Sequence, residues 1–161
     1  MSEPTLTLKG RLQPRDAWQA TGCPIAKAMD VIGTRSAFLL MREAFYGTTR
    51  FDEFARRVAI SEPVAASRLK ELVDVGLLRR SPYREPGKRT RDEYLLTEMG
   101  EDFFPTLAAL MQWGDRWLGQ SRVQLRHEQC GEPLHVEMRC EQGHRVDVQD
   151  IALVERRRSE G

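Results

Sequence analysis

Arginine and lysine side chains are concentrated in one short stretch of a chain that is otherwise close to neutral. Between Arg79 and Arg91 there are six basic residues and one acidic residue, Glu85, whereas the whole 161-residue chain has a formal net charge of +1. A local excess of this kind is typical of a surface that binds the phosphates of double-stranded DNA. The predicted phosphate contacts, in and near this stretch, are Arg50, Lys70, Arg84, Lys88, Arg89 and Arg91.

A helix with one leucine-rich face and one face of small residues precedes the basic stretch. In ISEPVAASRLKELVDVG, Ser61 is a suitable N-cap, and Pro63 lies in the first turn, where its missing N–H costs no helical hydrogen bond. The residues predicted to face inward are Ala66, Leu69, Leu72 and Val73. Small outward residues would let this helix approach base edges closely. The predicted base contacts are Val64, Ser67 and Arg68.

Three further helices and a hairpin are predicted to position this helix. Apolar residues recur at helical spacing in CPIAKAMDVIG, RSAFLLMREAFYG and RFDEFARRV. Strands are predicted in GLLRRSPY and RDEYLLT, joined by a turn at Pro86 and Gly87. A short third helix, a tight connection, a fourth helix and a basic hairpin together predict a winged helix-turn-helix of the α+β class, mainly α.

The last predicted helix, in LTEMGEDFFPTLAALMQWGDRWL, begins at the N-cap Thr97 and is expected to bend at Pro105. Its apolar stripe is wider than one small core needs, so we predict that it packs against a second copy of the chain. A homodimer would present two recognition helices to an operator with two-fold symmetry. The predicted dimer residues of this helix are Phe103, Leu107, Leu110, Gly114 and Trp117.

Several of these segments, in this order and at this spacing, resemble the HxlR-type winged-helix transcriptional regulators of bacteria and archaea. The similarity covers about residues 23–118 and includes the opening Cys-Pro, a Gly-x-x-Arg-Phe between helices, Leu-Thr-Glu-x-Gly after the wing and a terminal Trp-Gly. The resemblance implies a dimeric DNA-binding regulator with the helix near 62–75 in the major groove. It also implies that the first helix, with Ile25 and Met29, helps to build the dimer.

Cys23 lies where the first helix begins, and unpaired N–H groups at that end of a helix can stabilise a thiolate. Some members of the resembled family sense oxidants or electrophiles at the matching cysteine. We therefore expect control by thiol oxidation at Cys23, or by a small-molecule effector held between the first and last helices. The alternative is that Cys23 is a small packing residue near the dimer interface.

The C-terminal segment contains four residues of the types that bind zinc: Cys130, His135, Cys140 and His144. Structural zinc sites usually contain close pairs such as Cys-x-x-Cys, and this spacing is irregular. Alternation of apolar residues in PLHVEMR and RVDV instead favours a small β-hairpin. We therefore predict no metal and no cofactor; if a metal binds, its candidate ligands are Cys130, Cys140 and His144.

Other features bear on the class of protein. No Gly-rich phosphate loop, nucleophile elbow or His-Glu-x-x-His pair occurs, which favours a binding protein over an enzyme. No apolar run approaches the roughly 20 residues that span a bilayer, and three cysteines suit a reducing compartment, so we expect a cytoplasmic protein without a membrane partner.

The competing DNA-binding hypothesis is an architectural protein with weak sequence preference. We expect an arm over 1–22, a DNA-binding and dimerisation domain over 23–118, and an extension over 119–161.

Overall fold

The helices and the hairpin expected between residues 23 and 118 are present, with the last helix divided in two. The computed structural model describes residues 6–13, 15–17, 19, 21–84, 86–87, 89–119 and 121–155. The chain forms two units, one of residues 23–134 and one of residues 1–22 with 135–161. In chain order the elements are β1 (Thr7–Leu8), α1 (Pro24–Ile32), α2 (Arg35–Phe45), α3 (Phe51–Val58), α4 (Glu62–Asp74), β2 (Leu78–Tyr83), β3 (Arg91–Leu96), α5 (Glu98–Glu101), α6 (Phe104–Trp117) and β4 (Ala152–Leu153).

The core of the larger unit lies where α2, α3 and α4 meet the hairpin. Its largest fully buried side chains are Leu40, Met41, Phe54, Leu69, Leu72 and Leu78. Phe54 on α3 also meets the Tyr94 ring on β3 edge-on, with ring centroids 6.2 Å apart. Burial of each such side chain is worth about 1.5–3 kcal/mol, so α4 cannot rotate about its axis without losing several kcal/mol of core contacts. This packing fixes which face of α4 is turned outward.

The inward face of α4 differs from the prediction by one residue. Ala65, Leu69 and Leu72 are buried, whereas Ala66 is exposed, so the prediction that Ala66 faces the core is wrong. Positions 65, 69 and 72 have the spacing i, i+4, i+7 and lie on one face, and the next residue is turned about 100° away from Ala65. Val64, just before Ala65, is on the outward side.

The wing is an antiparallel hairpin whose register runs from the pair Leu78 and Leu96 to the pair Tyr83 and Arg91. The segment before α3 joins its edge: Arg50 forms an antiparallel bridge with Glu93, and the Tyr94 N–H donates to the Thr49 carbonyl at 2.8 Å. The predicted hairpin is confirmed. Its additional pairing with residues 49–50 ties the wing to the start of the helix-turn-helix.

The expected long last helix is interrupted. α5 ends at Glu101 and α6 begins at Phe104, with Pro105 as its second residue. Proline has no N–H to donate to the carbonyl of residue 101, so the two helices are separate rather than one bent helix. The expected N-cap is confirmed, because the Thr97 hydroxyl accepts from the Gly100 N–H at 3.0 Å.

The Leu-Thr-Glu-x-Gly segment, residues 96–100, holds α5 against the connection between α4 and β2 through hydrogen bonds. The Thr97 hydroxyl donates to the carbonyl of Gly76, and the Thr97 N–H donates to the Leu77 carbonyl at 3.2 Å. A Cβ atom added at Gly100 would lie 2.1 Å from the Leu77 carbonyl oxygen, a distance that no side chain tolerates. Glycine is therefore required at position 100, since the backbones of α5 and the α4–β2 connection approach each other closely there.

The smaller unit contains a short parallel pairing between β1 and β4. β1 and β4 run parallel, and the Thr7 N–H donates to the Ile151 carbonyl at 3.0 Å. Within residues 135–147 the chain reverses direction, but the described residues there form an isolated antiparallel bridge between Arg139 and Arg145 rather than the two strands of the predicted hairpin. None of the helices that the structure describes has the length and apolar character needed to cross a bilayer.

Candidate nucleic-acid interface

A tight connection joins α3 to α4 and fixes the direction in which α4 leaves the turn. α3 ends at Val58, and Ala59 adopts the left-handed conformation with φ +56°. The Ile60 N–H then donates to the Ala55 carbonyl at 3.1 Å, which closes the end of α3 and turns the chain into α4. Only three residues separate the two helices, as a helix-turn-helix requires.

The outward face of α4 is a stripe of four residues that we call the reading stripe. Its members, at the spacing i, i+3, i+4, i+7, are Val64, Ser67, Arg68 and Glu71. Val64 and Ser67 are exposed, and Arg68 is half-buried with its guanidinium Nη1 2.5 Å from a Glu71 carboxylate oxygen. The Ser67 hydroxyl donates to the other oxygen of Glu71 at 3.1 Å. All three predicted base-contacting residues therefore share one face.

Glu71 was not among the predicted site residues, although the spacing could have indicated it. A carboxylate three and four residues after a guanidinium and a hydroxyl on one helix is within reach of both. Lys70, a predicted phosphate contact, has a different partner: its ammonium lies 2.5 Å from the Asp74 carboxylate, and both side chains are exposed. Lys70 lies beside the reading stripe rather than in it.

The basic side chains of the wing are turned to solvent. Arg84, Arg89 and Arg91 are exposed near the tip, while Lys88 lies outside the described residues. Arg50 is exposed at the base of the wing, and its guanidinium lies over the Tyr83 ring at 5.0 Å from the centroid. Stacking on the ring restrains the Arg50 side chain. These residues and the reading stripe belong to consecutive elements of one unit.

The flanking helices expose large apolar side chains. On α1, Ile25 is 73% and Met29 is 48% exposed. On α6, Leu110, Trp113 and Trp117 are 48%, 54% and 64% exposed, and a Cβ added at Gly114 would meet open space. Trp113 was missed as a dimer candidate. The predicted stripe, in alternating steps of four and three from Phe103, included the buried Leu107 together with exposed residues and passed over Trp113.

Two predicted dimer residues belong to the protomer's own packing. Leu107 is 4% exposed and faces the core, so it is not available to a second chain, which corrects its assignment. The Phe103 ring is half-buried and packs against Phe38 of α2 with centroids 5.5 Å apart. Phe104 similarly packs on Phe45, at 4.9 Å. These contacts hold α6 against α2 and thereby determine which side of α6 is left exposed.

Cys23 is the N-cap of α1 and is half-buried. Its carbonyl accepts from the Lys27 N–H at 3.1 Å, and Pro24 occupies the first helical position, as predicted. The other cysteines, Cys130 and Cys140, are exposed free thiols. Cys23 therefore lies at the start of the flanking helix α1, two residues before the exposed Ile25, and is not part of the reading stripe on α4.

The candidate zinc ligands do not converge. Among the described residues there is no group of three or more His, Cys, Asp or Glu side chains that could hold a metal ion. Cys130 has a neighbour that was overlooked in the sequence: the His127 ring nitrogen Nδ1 lies 3.1 Å from its sulfur, across a turn closed by the Gly131 N–H and the His127 carbonyl. The His-x-x-Cys spacing was the available signal for this pair.

Known proteins with similar sequences are regulators of transcription. The family model described as HxlR-like helix-turn-helix matches residues 31–122. An uncharacterized HTH-type transcriptional regulator of Mycobacterium tuberculosis is 43% identical over 114 residues, which are 69% of this chain and 71% of that protein. The Bacillus subtilis HTH-type transcriptional regulator YybR is 32% identical over 95 residues, 58% of this chain and 74% of that protein.

Solved structures with similar folds extend the comparison. PA1607, described as a proposed transcription factor, is 30% identical with a TM-score of 0.75, and the match covers 92% of this chain and all of that one. The redox regulator HypR in its reduced form is 30% identical with a TM-score of 0.52, covering 59% of this chain and 95% of that one. The winged-helix fold is common to these proteins and the present chain.

Proposed function

The chain belongs to the HxlR-like helix-turn-helix family of transcriptional regulators, and we propose that it acts as a homodimer that binds a pseudo-palindromic operator with sequence specificity. The family and the similar proteins are transcriptional regulators rather than enzymes. The observation that carries the proposal is the reading stripe, a polar and small-residue face on a helix whose opposite face is fully buried. Such a helix is rigidly held and can enter the major groove.

In the proposed complex, side chains of the reading stripe contact base edges. Arg68 has the geometry to donate two hydrogen bonds to guanine, and Val64 can contact a thymine methyl group. The phosphate contacts come from Arg50, Lys70 and the wing residues Arg84, Lys88, Arg89 and Arg91. Phosphate contacts position the protein without reading sequence, so specificity depends on α4.

The homodimer is supported by the exposed apolar residues of α1 and α6. Ile25 on α1 and the two tryptophans of α6 are each more than half exposed, and large exposed apolar side chains of this kind are typical of surfaces that bind another protein. We propose that Ile25, Met29, Leu110, Gly114 and Trp117, together with Trp113, form the contact with the second chain. The dimer sets the distance between the two reading stripes at about one turn of DNA.

We further propose that a signal acts on this dimer, either through a small ligand or through the Cys23 thiol. The similarity to HypR, a redox regulator, supports thiol control. Oxidation by a peroxide would convert the thiol to a sulfenic acid and the peroxide to water or an alcohol, next to the helix that carries Ile25.

Cys23→Ser should abolish release of DNA on peroxide treatment, whereas the matched control Cys140→Ser should retain it. A Cys23→Ser protein that still releases DNA would exclude this thiol as the sensor.

The test of DNA recognition is fluorescence anisotropy with DNA from upstream of the protein's own gene and of adjacent genes. Titrations are run in a salt series with random-sequence competitor, and the stoichiometry is measured at high protein concentration. We expect tight binding that survives competitor, with two chains per site. Equal binding to every sequence would contradict the proposal and favour an architectural DNA-binding protein.

Arg68→Ala separates base reading from phosphate contact. We expect operator affinity to fall by about 1–3 kcal/mol while affinity for random DNA changes little, because a base contact carries discrimination. An Arg68→Ala protein with unchanged operator affinity would place base reading elsewhere.

A further inference from the structure

Glu71 contacts both polar members of the reading stripe. One carboxylate oxygen lies 2.5 Å from Nη1 of Arg68, and the other accepts the Ser67 hydroxyl at 3.1 Å. The two contacts use both oxygens of the carboxylate, so they hold its plane as well as its position. Glu71 thus links the two side chains that are proposed to read bases.

These contacts determine which hydrogen-bonding groups α4 can present. The Ser67 hydroxyl has a single proton, and donating it to Glu71 leaves only acceptor lone pairs for a base. Arg68 uses Nη1 for Glu71 and retains further N–H groups of its planar guanidinium. The stripe therefore offers an acceptor at position 67, which suits the amino group of adenine or cytosine, next to a donor at position 68, which suits guanine.

The charge of Glu71 has a second consequence. A guanidinium that is free to move binds any phosphate, whereas one paired with a carboxylate gains less from doing so. A carboxylate on the face that approaches DNA also repels the backbone wherever base contacts do not compensate for it. Both effects weaken binding to random DNA more than binding to the operator.

We propose that Glu71 is a specificity-determining residue, which positions Arg68 for base contact and disfavours binding to DNA that lacks the matching bases. This inference rests on the proposed function. Glu71 need not touch DNA itself. Its proposed role is to raise the ratio of operator affinity to random-DNA affinity.

The experiment measures that ratio by anisotropy for Glu71→Gln, on the operator fragment and on a random duplex of equal length. Glutamine keeps the size of the side chain but removes the charge and one acceptor. We expect the ratio to fall about tenfold, mainly because binding to random DNA becomes tighter. Circular dichroism and thermal melting establish that the variant is folded.

Asp74→Asn is the matched control. Asp74 lies on the same helix, has the same charge and pairs with Lys70, which is proposed to contact phosphate. Its neutralisation should tighten binding to both duplexes equally and leave the ratio unchanged. If Glu71→Gln behaves in the same way, Glu71 contributes only its charge and the inference is overturned.

Repeating Glu71→Gln in an Arg68→Ala background tests whether Glu71 acts through Arg68. The fall in the ratio should become smaller, because the positioned side chain is absent and only the charge of Glu71 still contributes. An undiminished fall would overturn the positioning role. A wild-type protein that shows no preference for any duplex would overturn the proposed function itself, whereas a wild-type preference that Glu71→Gln leaves intact would overturn this inference alone.

Discussion

The helix-turn-helix and the flanking helices use their apolar residues in opposite ways. α4 buries Ala65, Leu69 and Leu72 almost completely and turns polar or small side chains outward, so its packing is complete within one chain. α1 and α6 leave Ile25, Trp113 and other large apolar side chains exposed. The chain therefore has two kinds of surface: a polar face on α4, which we propose contacts DNA, and exposed apolar residues on α1 and α6, which we propose a second chain covers.

Leu69→Ala should have the largest effect on the first region. Leu69 is fully buried, and replacing a buried leucine by alanine costs about 2–5 kcal/mol through lost burial and the cavity left behind. Urea unfolding followed by circular dichroism measures the change in the free energy of unfolding. Val64→Ala, on the exposed side of the same helix, should change it by less than about 0.5 kcal/mol. Equal losses in the two variants would mean that the two faces of α4 are not distinct.

Trp113→Ala should affect assembly instead of folding. A tryptophan at the centre of an interface contributes about 2 kcal/mol or more, so we expect the Kd of the dimer to rise by about 30-fold or more. Sedimentation velocity over a concentration series measures it. Met99→Ala is the control, since Met99 has the same 54% exposure but lies on α5. A dimer that tolerates Trp113→Ala would move the interface away from this face of α6.

Substitutions at two glycines test the same difference between a position packed within the protomer and a position on the exposed face of α6. Gly100→Ala should cost about 1–3 kcal/mol, because the added Cβ would collide with the Leu77 carbonyl. Gly114→Ala should raise protomer stability by about 0.5–1 kcal/mol, because alanine favours the helix and the added Cβ meets open space. Thermal melting of both variants at low protein concentration gives the signs. If Gly114→Ala also weakens the dimer, a second chain approaches closely at that position.

Arg89→Ala should have the smallest effect. We expect affinity to fall alike for operator and random DNA, with the slope of log K against log salt reduced by about one, because one phosphate contact is lost. The slope is measured by anisotropy at several salt concentrations. A change in specificity without a change in slope would mean that the wing reads bases rather than phosphates.

Local signals in the sequence were sufficient for the elements of the fold. Apolar residues at helical spacing, Pro24 at a helix start, Thr97 as an N-cap and the turn at Pro86 and Gly87 each act within a few residues, so the helices and the wing could be predicted. The same reasoning mistook Ala66 for Ala65. Adjacent alanines have equal size and hydrophobicity, so the pattern alone does not distinguish which of them faces the core.

Residue types and their spacing were enough to identify the class of the molecule: a winged helix-turn-helix with a basic hairpin and an excess of apolar residues in its last helix. Tertiary structure decided which of those apolar residues remain exposed, because the packing of Phe103 and Phe104 on α2 turns Leu107 inward and Trp113 outward. It also decided that position 100 must be glycine, through a close approach to Leu77. Such contacts join residues far apart in the chain, and their distances depend on how whole elements pack, which periodicity along one element does not specify.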